Sequence, residues 1–134
     1  MKASKSISET GVYNESMRYL ENAIDILNTK AKRDGDYYLD KKYVKMAGHT
    51  AYTGVLYALN SMSLISLKKG QRADVRDYQE ALGKHNKKIL NYFNDCYEQL
   101  HLVAGYDGYG HKKVFSIAFS SAEQIIKWAA HKAA

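Results

Sequence analysis

Apolar and small residues recur at three-and-four spacing along four stretches of the chain. The richest, residues 44–67, reads VKMAGHTAYTGVLYALNSMSLISL and is apolar or small on nearly every side. Val44, Ala47, Ala51, Val55, Ala58, Met62 and Ile65 line one helix face, and Leu56, Leu59, Leu64 and Leu67 widen it. A helix this apolar needs neighbours on several sides, so the spacing predicts a central helix over 44–67. Gly48, Ala51, Gly54 and Ala58 give it small surfaces on which other helices can approach closely.

The remaining stretches are narrower. Tyr13, Met17, Leu20, Ile24, Leu27 and Ala31 form a single stripe that predicts a helix over 13–33, with Gly35 as terminator and Asp40 as N-cap of the central helix. Gly70 breaks the pattern, and Asp74 is the natural N-cap of a third helix carrying Val75, Tyr78, Leu82, Ile89, Phe93, Tyr97, Leu100 and Val103. Gly83 and the KHNKK that follows it allow a kink, and GYDGYG at 105–110 ends the helix. Val114, Ile117, Ala118, Ser121, Ala122, Ile125, Trp128 and Ala129 predict the fourth, over 111–131. Residues 1–12 read as a flexible polar N-terminus, although Ser6 and Glu9 have capping-box spacing. Strand signals are nearly absent. Short links between amphipathic helices predict an all-α, up-down-up-down antiparallel four-helix bundle, a single domain over 13–134.

Composition narrows the class. A lone cysteine, Cys96, forms no internal disulfide, and the basic N-terminus has no apolar run of a secretory signal; a cytoplasmic protein is expected. His49, Asn60 and the hydroxyl residues of the central stretch make a membrane span unsuitable. The net charge of +6 favours weak attraction to polyanions.

Few positions on these elements carry candidate chemistry. Glu98 and His101 form the E-x-x-H pair of di-iron bundles, but residues 44–67 contain no Asp or Glu to complete such a centre. No metal or other cofactor is expected, although His49, His101 and His111 fall near one end. Cys96 reads as a small core residue. GYDGYGHKK lacks the phosphate-loop pattern, yet free N–H groups at the start of the last helix, with Lys112 and Lys113, offer an anion site. Antiparallel topology also gathers the first and third connections at one end. It brings together Arg33, Tyr37, Tyr38, Lys41, Lys42, Tyr43, Tyr106, Asp107, Tyr109, His111, Lys112 and Lys113. Tyrosine faces and lysine charges are the two ingredients of single-strand binding, and equally of a core closed at its wet border by amphipathic side chains.

HTAYTGVLYALNSMSLISLKKG, YFNDCYEQLHLVAGYDGYG and FSIAFSSAEQIIKWA, with the phrase L-H-x-x-x-G-Y-D-G, resemble an uncharacterised family of small bacterial helical proteins. More distantly they resemble the HEPN superfamily of four-helix bundles. The resemblance implies a HEPN-like bundle whose nuclease members use an Arg, then four to six residues, then a His. Here that His is His101, and the corresponding earlier position is Asn94, followed by Asp95; no Arg stands before any histidine at that spacing.

Three functions follow as expectations. The first is a non-enzymatic binding protein, dimeric or bound to a protein partner. The second is a degenerate HEPN-like ribonuclease or nucleotide-processing relative using His101 with Asn94, Asp95, Tyr106 or Asp107. The third is a nucleic-acid-binding module using the tyrosine and lysine end.

Overall fold

The computed structural model describes residues 11–67 and 70–133. The expectations for residues 1–10, the Ser6–Glu9 capping box among them, lie outside the described residues. Among those described, the chain runs α1 (Gly11–Thr29), β1 (Arg33–Asp34), β2 (Tyr37–Tyr38), α2 (Lys41–Asn60), α3 (Val75–His85), α4 (Lys87–Cys96), a π-helical segment (Tyr97–Tyr106) and α5 (Lys112–Ala133). It is mostly helical, with one small antiparallel sheet that pairs Arg33 with Tyr38 and Asp34 with Tyr37.

The central helix lies where its pattern places it. α2 packs against α1, the π segment and α5. Val44, Ala47, Ala51, Val55 and Ala58 are completely buried. Its two glycines serve different neighbours. A methyl group at Gly54 would lie 2.7 Å from Tyr19 Cβ on α1, and one at Gly48 would lie 2.6 Å from the Leu100 carbonyl oxygen of the π segment. Both approaches are closer than any side chain permits.

Three boundaries differ from the sequence reading, each for a local reason. α1 stops at Thr29 rather than 33, because Lys32 takes a left-handed conformation and the chain enters a hairpin. Gly35 is therefore not a helix terminator; its φ of +58° makes the tight β1–β2 turn. α2 ends at Asn60, well short of 67: the Ser61 hydroxyl donates to the Ala58 carbonyl, and Ser63 turns left-handed at φ 53°. Met62, Leu64 and Ile65, read as helix face, instead pack on the core from an irregular segment. The third helix is two helices hinged at Asn86. Its N–H donates to the Leu82 carbonyl, closing α3, while its side chain accepts from Lys88 and Ile89 N–H, opening α4.

Asp40 and Asp74 cap α2 and α3 as expected, Asp74 through a reciprocal capping box with Asp77. Ile24 and Ile117, assigned to buried stripes, are exposed. Cys96 is fully buried, its thiol directed at the Ala118 carbonyl and its pKa pushed up by burial.

Candidate functional site

Hairpin and last connection are clasped together by backbone. Tyr38 N–H donates to the Gly110 carbonyl at 2.8 Å, Lys112 N–H donates to the Asp36 carbonyl at 2.8 Å, and Tyr37 forms a bridge with His111. Gly110 is pressed against the Tyr38 carbonyl with no room for a side chain. Lys112 Nζ reaches Asp36 at 3.0 Å, and the hydrogen bond and charge of that lysine hold the Asp36 carboxyl below its ordinary range.

The clasp also consumes the expected anion site. The Lys112 N–H is taken by Asp36, the Lys113 N–H by His111 Nδ1 at 3.0 Å, and the Val114 N–H by the His111 carbonyl. The first turn of α5 therefore has no spare donors there, and His111 caps it through Nδ1. This corrects the expectation of free N–H groups at that helix start.

Two groups of aromatic rings flank the 107–110 turn. In one, the Tyr37 and His111 rings meet edge to face at 4.8 Å, Tyr109 stacks over His111 at 6.3 Å, and Tyr37 and Tyr109 lie 6.1 Å apart. Tyr37 and Tyr109 border a groove of about 580 Å³ that also touches Leu39, Lys41, Val103 and Asp107. In the other, His101 is ringed by Tyr52 at 4.9 Å, Tyr97 at 5.4 Å, Tyr106 at 5.4 Å and His49 at 5.6 Å. Gly108, left-handed at φ +68°, lies between Tyr106 and Tyr109. Its bare face lets two lysine stems cross the turn: a side chain there would meet Lys45 Cε at 3.2 Å and Lys41 Cγ at 3.3 Å.

The π segment builds the second group. A π turn spends five residues where an α turn spends four, and Leu100, Ala104 and Gly105 are all buried. Gly105 has room for nothing more, since a methyl there would lie 2.7 Å from His49 Cε1 and 2.8 Å from the Leu100 carbonyl. Sequence reasoning missed both the π segment and the seat of His49 on Gly105; paired small residues on α2 and on 104–105 were the available signal. Burial and the facing His49 lower the His101 pKa, and its Nδ1 has no hydrogen-bond partner among the described residues.

A pH dependence follows. The unfolded chain accepts a proton on this imidazole near its ordinary pKa of 6.5, while the folded chain resists it. That stability is complete above the unfolded value and is lost as pH falls through the lower folded value. Tm is expected to decline as pH falls below about 7, and His101→Phe should remove part of that decline. An unchanged pH profile in the variant would contradict this reading.

Other expected site residues are dispersed. Asn94 accepts from Gln79 Nε2 at 2.9 Å, and Asp95 accepts from the Ser121 hydroxyl at 3.3 Å. His111 is in the Tyr37 group rather than with His49 and His101, and among the described residues no three His, Cys, Asp or Glu side chains converge as metal ligands. Lys42 lies over the Tyr43 ring at 5.4 Å. No helix among the described residues is long and apolar enough to cross a membrane.

This helical chain falls in an uncharacterised family. The chain belongs to the family described as Domain of unknown function (DUF5618), which matches residues 12–131. It is similar to the solved structure of a protein of unknown function from Dyadobacter fermentans, at 47% identity over 95% of this chain and 98% of that one, with a TM-score of 0.83. No curated protein matches.

Proposed function

We propose that the protein is a non-enzymatic binding module whose working surface is the tyrosine- and lysine-rich end, and that its ligand is a single-stranded nucleic acid. The arrangement at Gly108 carries this reading: two ring clusters flank a turn crossed by Lys41 and Lys45. Ring, cation and ring follow one another as base, phosphate and base do along a strand. Tyr106 and Tyr109 are exposed and available for stacking, whereas the rings of a merely structural border would be turned into the core. Asn94 and Asp95 are tied to Gln79 and Ser121, which leaves His101 without the partners a HEPN-like nuclease reading requires.

The packing supports the finer reading of one domain with four antiparallel members, HEPN-like in plan: α1, α2, α4 continued by the π segment, and α5. In it α3 is a bracket held against α4. Anisotropy titration of a fluorescein-labelled oligouridylate, against a duplex RNA of equal length, tests the function. Binding that favours the single strand is expected. No binding, or equal binding of the duplex, would contradict it.

A further inference from the structure

On the other side of the hairpin, α1 and α5 enclose a second groove of about 400 Å³. Ile24 and Phe119 supply accessible apolar surface over a floor formed by the nearly buried Leu27 and Phe115, while Arg33, Lys112 and Lys113 contribute three cations. The volume and the mostly apolar lining with few charged groups are those of a small-molecule site.

The cations decide what kind of molecule fits. Lys112 is occupied by Asp36. Arg33 uses Nε on the Gly35 carbonyl at 2.9 Å and lies over the Tyr38 ring, and its other guanidinium donors have no hydrogen-bond partner among the described residues. Lys113 has no ion pair among the described residues. Lys112 and Lys113 also stand in the first turn of α5, which holds no acidic residue; there the helix dipole disfavours positive charge. Asp36 pairs with Lys112 and also lies within the field of Arg33, which leaves Lys113 as the charge that an anion between it and Arg33 would offset.

We propose that this groove binds a small single-chain amphipathic anion, an aliphatic carboxylate. Its head lies between Arg33 and Lys113 and its hydrocarbon along Ile24 and Phe119, over Leu27 and Phe115. This goes beyond the single-strand reading and uses neither Lys41 nor Lys45.

The test is calorimetric titration of the full chain with decanoate below its micellar concentration, beside 1-decanol and decyltrimethylammonium. Decanoate is expected to bind at least tenfold more tightly than either. Arg33→Gln with Lys113→Gln should weaken it at least tenfold, and Ser116→Trp, which fills the groove from an exposed position on α5, should abolish it. Thermal melting of each variant checks that it folds. Equal binding of decanol, unaltered affinity in Ser116→Trp, or no binding of decanoate would overturn the proposal. The protein should not sediment with phosphatidylglycerol vesicles; sedimentation that Ser116→Trp abolishes would assign the groove to a membrane lipid and overturn the free carboxylate.

Discussion

Gly48→Leu is expected to destabilise the protein by about 3 kcal/mol, the upper end of ordinary overpacking. The intrinsic gain from replacing a helical glycine is only about 1 kcal/mol. It is outweighed because the new Cβ meets backbone rather than flexible side-chain ends: Leu100 O at 2.6 Å and Gly105 N at 2.9 Å. The π segment would have to move away from α2, and His49 would lose its seat on Gly105. Gly83→Ala is the contrasting case, since its nearest outside atom is Leu90 Cδ2 at 3.7 Å. It should stabilise by about 0.5–1 kcal/mol. Urea unfolding of the two variants beside the parent checks both signs. A neutral Gly48→Leu would mean that α2 and the π segment do not meet as described.

Tyr106→Ala and Tyr109→Ala carry the second large effect. If bases stack on these rings, each truncation should cost about 1–3 kcal/mol of oligouridylate binding, roughly a 5- to 150-fold weakening. The two are not equivalent structurally. Tyr106 is 63% exposed, so its removal should hardly change Tm. Tyr109 meets Tyr37 edge to face, and that neighbour raises its pKa, so its removal should also loosen the hairpin. Anisotropy titrations and melting curves on the same samples separate the two effects. Full affinity in Tyr106→Ala would remove the second ring cluster from the binding surface.

The parts of this fold that were legible in the sequence are those set by local chemistry. Asp40 and Asp74 announce their helices because a cap is made within three residues, and Ala51 and Ala58 announce their burial because periodicity places them. Antiparallel links were enough to bring Tyr37, Tyr109 and His111 to one end. What was not legible depends on the packing of distant parts of the chain. Met62, Leu64 and Ile65 are as apolar on an irregular segment as on a helix, so the end of α2 was hidden. Gly35 suits a helix terminator and a hairpin turn equally, and the pair Gly35–Asp36, a glycine at the first position of a two-residue loop, was the unread sign of the latter. The π segment is signalled only by small residues that face one another, Gly48 on α2 against Ala104 and Gly105, and that pairing is visible only once the two segments are packed. The α5 N–H groups looked free because nothing in the sequence shows that Asp36 and His111 reach them.

The most direct test of the binding surface is the salt dependence of oligouridylate affinity with charge reversed at either end. Lys41→Glu with Lys45→Glu is expected to weaken binding and to flatten the slope of log K against log salt by about 1.4, at roughly 0.7 for each single-strand phosphate that is no longer neutralised. Arg72→Glu with Arg76→Glu changes the net charge equally at exposed positions remote from the ring clusters, and should leave the slope nearly intact. An equal flattening from both pairs would show attraction to the overall charge of +6 and contradict a site at the Gly108 turn.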